Sequence, residues 1–160
     1  MGWFDPKNEL YMFVPPSNYR MKTREGKKAW QEAIDVLNED RRPKALKWAE
    51  GMAAAAQDHC DWMKANNKFS HTGEDGKGPS ARLWEYGTFR GWGENLSAGM
   101  RTGKDAQLQL FIDDGVTSRG HRINILNWGS THTGIAACEF PGYGTAMVVT
   151  FATDWVPRKP

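Results

Sequence analysis

The sequence lacks any run of about 18 or more apolar residues, so we predict that no helix of the chain spans a membrane. Its N-terminus also lacks a basic start followed by an apolar stretch, which is the pattern of a signal peptide. Two interpretations follow. Either Met1 is the native start and the chain stays inside the cell, or a leader has been removed.

The chain also lacks a strong excess of charge of either sign. Its 21 Lys and Arg residues oppose 19 Asp and Glu residues, which gives a net charge of +2. No block of basic residues stands out from an ordinary solvated surface. The composition therefore does not favour nucleic acid as a partner.

Cysteine is scarce, since Cys60 and Cys138 are the two that the sequence contains. They lack the CxxC spacing typical of zinc sites, so the cysteines do not indicate zinc. The pair could form one disulfide or remain two thiols. Each lies among small apolar residues, where a free cysteine behaves as a small hydrophobe, and this favours two buried thiols.

Large apolar side chains are abundant, with eight Trp and seven Phe among 160 residues. This is enough apolar surface for one sizeable core, which we assign to a single domain over residues 25–160. Residues 1–24 contain Pro6, Pro15 and Pro16 and show no period, so we interpret them as an extended arm. The arm is too aromatic for a disordered tail, and we expect it to pack on its own domain or on a partner. Its aromatic residues are Trp3, Phe4, Tyr11, Phe13 and Tyr19.

Apolar residues recur at helical spacing over about 25–39 and 44–66, and a third helix is predicted over 104–114, ended by Gly115. Residues 134–140 and 145–153 are rich in β-branched and apolar side chains and flank a turn at 141–144, which predicts an antiparallel hairpin. Residues 67–92 are interpreted as a long loop with a helical turn near 81–86. Helices first and strands last predict an α+β domain.

Three short strings place a His or a Glu beside glycine: Ser70-His71-Thr72-Gly73, Gly93-Glu94-Asn95-Leu96 and Arg119-Gly120-His121-Arg122. Two imidazoles and one carboxylate could form an open site for a divalent metal such as zinc. They could also act in acid–base chemistry, because His titrates near neutral pH. The spacing alone equally fits hydrogen bonds that anchor loops.

The order of these strings resembles the CAP superfamily, which includes cysteine-rich secretory, antigen 5 and pathogenesis-related proteins, and within it a microbial branch. The resemblance covers about residues 30–155 and implies an α–β–α sandwich with a central antiparallel sheet flanked by helices. The strings that carry it are Asn38-Glu39-Asp40-Arg41, Leu46-Lys47-Trp48, Ser70-His71-Thr72-Gly73, Gly93-Glu94-Asn95-Leu96 and Gly120-His121-Arg122-Ile123-Asn124-Ile125-Leu126.

The resemblance also implies a central cavity with two His and two acidic residues, which in relatives sometimes holds a divalent ion. His71, Glu94 and His121 match three of these positions, and His71 and His121 would be the metal ligands. The family's second acidic residue is a Glu on the third helix, where this sequence has Asp113 and Asp114. Of these we favour Asp114, which lies nearer to His121 in sequence.

The neighbouring polar residues are interpreted as structural. Asn95 would fix the loop backbone through its side chain. Arg122 would pair with Asp113 or Asp114 or be solvated. Ser70 lies just before His71, and Ser118 lies shortly before His121. Neither serine lies in a Gly-x-Ser-x-Gly elbow, so we assign no serine nucleophile and no catalytic residue.

Together these observations favour a non-enzymatic CAP-domain binding or scaffold module with a His/Glu cavity. The aromatic arm favours a protein partner or a larger assembly, whereas a concave apolar cleft would favour a lipid or sterol. The alternative is a metal-dependent, protease-like hydrolase that uses His71, Glu94 and His121. The resemblance implies secretion, while an intracellular structural role follows if Met1 is the native start.

Overall fold

The computed structural model describes residues 4–14, 19–39 and 43–158 of the chain. Its helices are α1 (Lys27–Asn38), α2 (Glu50–Asn66), α3 (Pro79–Tyr86), α4 (Gly103–Ile112) and α5 (Gly120–Ile125). Its strands are β1 (Phe4–Asp5), β2 (Asn8–Val14), β3 (Tyr19–Lys22), β4 (Lys47–Trp48), β5 (Gly87–Thr88), β6 (Gly91–Ala98), β7 (His132–Phe140), β8 (Gly144–Thr153) and β9 (Val156–Pro157). A single 3-10 turn at Glu74–Gly76 precedes α3.

The central sheet has the strand order β4-β7-β8-β6. The predicted hairpin is present as β7 and β8, which pair antiparallel from His132 opposite Ala152 to Phe140 opposite Gly144. Strand β6 pairs antiparallel with the other side of β8, and the short strand β4 runs parallel to β7. β8 lies between β7 and β6, and most of its residues are buried, as in a strand covered on both faces.

Helices cover both faces of this sheet. On one face α2 contributes Ala56, Cys60 and Met63 to a buried cluster with Leu96 and Val148. On the other face Leu110 of α4 packs with Val149 and Phe151 of β8. The alternation of side chains along β8 thus supplies both cores. The fold is α+β, and the α–β–α sandwich predicted from the sequence is confirmed.

Gly134 allows α2 to approach β7 more closely than any other residue would permit. A Cβ atom at this position would lie 2.2 Å from the backbone nitrogen of Ala53 and 2.3 Å from the carbonyl carbon of Met52. The run of small residues in α2 brings its backbone down to the sheet at this point. The close approach fixes the height of α2, and with it the segment that follows α2 and carries His71.

The N-terminal strands form a three-stranded antiparallel sheet of order β1-β2-β3. Phe4 is buried and its ring meets the ring of Trp30 on α1 edge to face, with 6.1 Å between centroids. Met12 is buried as well. The residues predicted as an arm therefore contact α1 of the same chain where they are described. Trp3, Pro15 and Pro16, named in that prediction, lie outside the described residues.

The helices predicted at 25–39 and 104–114 are confirmed, with ends within two residues of the prediction. The prediction for 44–66 is wrong at its start, because α2 begins at Glu50. The backbone amides of Lys47 and Ala49 donate instead to the carbonyls of Thr131 and Thr133, so pairing with β7 overrides helical spacing there. Strand β6 and helix α5 were not predicted.

Cys60 and Cys138 form a disulfide, so the expectation of two buried thiols is wrong. Cys138 on β7 lies opposite Ala146 and on the same face of the sheet as α2, where Cys60 is fully buried. Each cysteine does lie among small apolar residues, as the sequence shows. Local composition could not reveal that the sheet register brings the two together.

Candidate functional site

Glu94 is the most buried carboxylate of the predicted site, with 1% of its side chain exposed. It lies on β6 opposite Thr150, and therefore on the face of the sheet that α2 and α3 cover. Its Oε1 lies 2.8 Å from Nδ1 of His71, and its Oε2 accepts a hydrogen bond of 2.6 Å from Nη2 of Arg82. His71, Arg82 and Glu94 are called the Glu94 cluster below.

The side chains of Arg82 and His59 hold the backbone around His71. Arg82 on α3 donates through Nη1 to the carbonyl oxygens of His71 and Lys77, at 3.0 Å each. His59 on α2 lies with Nε2 2.7 Å from the carbonyl oxygen of Ser70. The His71 loop is thus tied to two helices, while the His71 side chain itself is 52% exposed. Sequence reasoning missed both anchors, because each depends on burial that the sequence does not show.

His121 pairs with a different carboxylate. Its Nδ1 lies 2.7 Å from Oδ1 of Asp113, and the backbone amides of His121 and Arg122 donate to Oδ2 of the same residue, at 3.0 and 3.3 Å. Asp113 follows α4 directly in a left-handed conformation with φ of 58°, and it is buried. The acidic residue in contact with His121 is therefore Asp113 and not Asp114, which was favoured from sequence distance.

Asn95 and Arg122 make the contacts of structural residues. The Asn95 side chain donates to the carbonyl of His121 at 3.0 Å and accepts from Nδ2 of Asn124 at 2.8 Å. The guanidinium of Arg122 donates to the carbonyls of Ala29, Phe111 and Ile112, so it ties α1 to the end of α4. Burial, followed by the charge of Arg119, lowers the pKa of Arg122. The guanidinium also lies 3.6 Å from Oε2 of Glu32, whereas Asp113 accepts from the backbone amide of Arg122.

The side chains of Glu94 and Asn95, which hold His71 and the backbone of His121, point to opposite faces of strand β6. Successive strand residues point to opposite faces, so Glu94 faces α2 while Asn95, which holds the backbone of His121, faces α4 and α5. Within residues 4–14, 19–39 and 43–158, no three His, Cys, Asp or Glu side chains are arranged to hold a metal ion. The pairs as arranged do not fit the three-ligand centre that catalytic zinc requires.

Asp114 serves a different purpose from the predicted one. Its two carboxylate oxygens accept from the backbone amides of Arg24 and Glu25, at 2.7 and 2.8 Å. In return, Glu25 accepts from the amide of Gly115 and from the guanidinium of Arg119. These reciprocal bonds fasten the segment before α1 to the loop between α4 and α5. They fix the backbone from which His121 projects.

The hydrogen bonds of Glu25 predict that the stability of the fold depends on pH. The hydrogen bond from Arg119, followed by that from the Gly115 amide, lowers the pKa of Glu25 from 4.5 to about 2. A carboxylate whose folded-state pKa is depressed stabilises the fold above its unfolded pKa and loses that effect as the pH falls through the folded value. We therefore expect Glu25→Gln to lower the melting temperature at neutral pH, and the difference from wild type to shrink between pH 4.5 and 2.

Thermal unfolding of both proteins across this pH range would check the expectation. Glu139→Gln is the matched control, because 87% of that side chain is exposed and it should leave the curve unchanged. A difference between Glu25→Gln and wild type that stays constant down to pH 2 would contradict the assigned role of Glu25.

A separate apolar groove lies between the N-terminal sheet, α1 and α4. It encloses about 310 Å³. Its walls are Phe4, Met12, Trp30, Ala33, Ile34, Leu37, Leu108, Phe111 and Ile112. Every wall residue is hydrophobic, and the buried indole Nε1 of Trp30 has no hydrogen-bond acceptor among the described residues. Sequence reasoning did not locate this groove, since its walls come from three separate segments.

None of the helices in the described segments is both long and apolar enough to cross a membrane.

The model of the cysteine-rich secretory protein (CAP) family matches residues 18–152 of the chain. An uncharacterized protein of Bacillus subtilis, YkwD, is 26% identical over 113 residues, which are 68% of this chain and 42% of that protein.

Solved structures show the same fold. An extracellular protein containing a SCP domain from Bacillus anthracis is 26% identical, with a TM-score of 0.57 over 78% of this chain and 40% of its own. An outer surface protein from Borrelia burgdorferi is 18% identical, with a TM-score of 0.59 over 79% of this chain and 93% of its own, and this likeness concerns the fold alone. The chain spans about two fifths of the length of both Bacillus proteins.

Proposed function

Because the chain belongs to the cysteine-rich secretory protein (CAP) family, we propose that it is a non-enzymatic binding module whose ligand is an apolar molecule with one hydrogen-bond acceptor, such as a fatty acid or a sterol. The ligand would lie in the groove between the N-terminal sheet, α1 and α4. The Glu94 cluster and the His121–Asp113 pair would serve to hold the loops of the domain.

The observation that carries this proposal is the wholly apolar lining of the groove, together with the buried indole Nε1 of the lining residue Trp30, which has no acceptor among the described residues. A buried donor without a partner is costly, and native proteins rarely keep one. A ligand oxygen placed against Nε1 would remove that cost while its hydrocarbon part covers the apolar walls. The volume of about 310 Å³ lies at the lower end of the range for small-molecule pockets.

The proposal predicts saturable binding of a fluorescent fatty acid such as cis-parinaric acid. Leu108→Asp, which places a charge on the 47% exposed rim of the groove, should abolish binding. Trp30→Phe keeps an aromatic wall but removes the donor, and we expect about a fivefold to tenfold weaker affinity, as for one lost hydrogen bond. Fluorescence titration with each variant measures both effects, and competition with cholesterol distinguishes a sterol from a fatty acid.

Ile123→Asp supplies the matched control, because Ile123 is an exposed apolar residue on α5 that does not line the groove. It should bind the probe as the wild type does. Equal loss in all three variants, or no saturable binding by the wild type, would overturn the assignment of the groove.

The alternative of a metal-dependent hydrolase at His71, Glu94 and His121 has weaker support. Each imidazole Nδ1 already contacts a carboxylate, and no three His, Cys, Asp or Glu side chains of the described residues are arranged to hold a metal ion. Activity tests on peptides, with and without added zinc, would reveal such an enzyme. A zinc-dependent hydrolytic rate that is lost in His71→Ala would replace the binding module by the enzyme.

We propose an oxidising compartment, and hence secretion, as the site of action. The support is the Cys60–Cys138 disulfide, since such bonds persist mainly in secreted and cell-surface proteins. Mass spectrometry of the native protein under non-reducing conditions would test it. Free thiols at both positions would favour the intracellular alternative.

A further inference from the structure

One edge of the central sheet is covered over only part of its length. At this edge β7 is paired with the two-residue strand β4. The carbonyl groups of Thr131 and Thr133 accept hydrogen bonds from the backbone amides of Lys47 and Ala49. The chain then leaves the edge, because α2 begins at the next residue. Residues 135–139 of β7 therefore have no neighbouring strand on this side among the described residues.

Three residues of this open segment direct their main-chain groups outward. The register between β7 and β8 is uninterrupted. Every second residue of a strand turns its amide and carbonyl to the same side, so Ile135, Ala137 and Glu139 follow Thr133 in facing away from β8. Their amides and carbonyls have no hydrogen-bond partner in the part of the chain that the structure describes. Such a row of unpaired groups is a template for one further strand.

The side chains along this edge are apolar at one end and charged at the other. Ile135 lies opposite Val149, on the face of the sheet that α4 covers, yet it is 40% exposed. Trp48 of β4 shares this face and is 52% exposed. At the other end, 87% of the Glu139 side chain is exposed. Its carboxylate lies 3.4 Å from Nζ of Lys64, which is also exposed, and such a pair is readily opened.

The charge of Glu139 disfavours a second copy of the chain as the occupant of this edge. In a symmetric dimer, two β7 strands would pair antiparallel. Ala49 lies beside Gly134 and blocks any register that carries Phe140 of a second copy to that position. In the registers that remain, the two Glu139 carboxylates lie directly or diagonally opposite each other, where like charges are destabilising.

We propose that this edge binds an extended segment of another protein, which pairs antiparallel with β7 in line with β4. The segment carries a Lys or Arg opposite Glu139 and apolar, β-branched residues opposite Ala137 and Ile135. Its main-chain hydrogen bonds supply the affinity, and these three side chains supply the specificity. The interaction involves neither the apolar groove nor the Glu94 cluster.

Titration of the full chain with the peptide acetyl-Thr-Lys-Thr-Val-Thr-Val-Thr-amide, followed by NMR of backbone amides, tests the proposal. We expect saturable shifts at the amides of Ile135, Ala137 and Glu139, which should also exchange hydrogen more slowly than in the free protein. Methylation of the Lys and Val nitrogens of the peptide should abolish binding, because these N–H groups point at β7. Methylation of the Thr nitrogens, which point away from β7, should leave binding intact.

Glu139→Lys tests the charge complementarity. The wild type should bind the Lys peptide about threefold more tightly than a peptide with Glu in place of Lys, and the variant should reverse this preference. Glu74→Lys is the matched control, because it reverses an exposed carboxylate beside the cavity between α2 and α3, away from this edge. Its preference should equal that of the wild type.

Ala137→Pro tests the main-chain pairing. It removes an amide that β8 does not use, and edge strands tolerate proline, so the fold should persist while binding is lost. Binding that survives methylation of the Lys and Val nitrogens, an unchanged preference in Glu139→Lys, or no saturable shift in the wild type would each overturn the proposal. Concentration-dependent dimers of the free chain that protect the same three amides would overturn it in favour of a second copy.

Discussion

Replacing Cys60 and Cys138 together by alanine is expected to lower the free energy of unfolding by about 4 kcal/mol. The disulfide joins residues separated by 78 positions, so it closes almost half of the chain into one loop. In the chain-entropy account, a loop of this length restricts the unfolded chain by about 4–5 kcal/mol, and measured values for native disulfides are about 2–5 kcal/mol. Urea denaturation followed by circular dichroism would measure the loss.

Reductant provides the control for this prediction. Dithiothreitol should destabilise the wild type by a similar amount and leave the double alanine variant unchanged. The fold itself should persist at low temperature, because α2 and the sheet also share the apolar cluster around Met63 and Val148. Equal stability of the oxidised wild type and the variant would contradict the assigned contribution of the disulfide.

The local sequence pattern was enough to predict those helices and strands whose conformation is indicated by the type and spacing of their own side chains. Helices α1 and α4 have apolar residues at helical spacing, and β7 and β8 are rich in β-branched and apolar residues on either side of a glycine-containing turn. Strand β6 has no such pattern, because Gly91, Gly93 and three polar residues interrupt it. Its conformation comes from pairing along the whole of β8, which is a tertiary effect that no local pattern shows.

The candidate site was predictable in part for a similar reason. The motifs named His71 and Glu94, and the structure brings them into contact. The conformation of one residue decides which carboxylate contacts His121. Asp113 takes the left-handed conformation at the end of α4, and its carboxylate contacts His121 on α5. The carboxylate of Asp114 instead contacts the segment before α1. Such a choice follows from backbone geometry, which sequence spacing does not specify.

Arg82 was missed because its role depends on burial. In the sequence it is one Arg within a short helical turn, and such a residue is usually solvated. In the structure 10% of its side chain is exposed, and it connects α3 to β6 and to the backbone of His71. This makes it the residue whose removal should test whether the Glu94 cluster is structural.

Arg82→Met is expected to lower the free energy of unfolding by about 3–5 kcal/mol, because it leaves the carboxylate of Glu94 buried without its cation. It also removes the hydrogen bonds that hold the carbonyls of His71 and Lys77. Methionine is close to Arg in length and keeps most of the apolar packing. Thermal and urea unfolding of the purified variant would measure the loss.

Two companion variants decide the interpretation. Lys77→Met removes one side of an exposed ion pair, with 45% of the Lys77 side chain exposed, and should cost less than about 1 kcal/mol. Arg82→Met combined with Glu94→Leu removes both buried charges, and it should recover part of the stability lost in Arg82→Met alone, because a buried pair costs more to break than to replace. If Arg82→Met is no less stable than Lys77→Met, the Glu94 cluster does not support the fold. The buried contact between Glu94 and His71 would then have to serve a ligand or a reaction at His71.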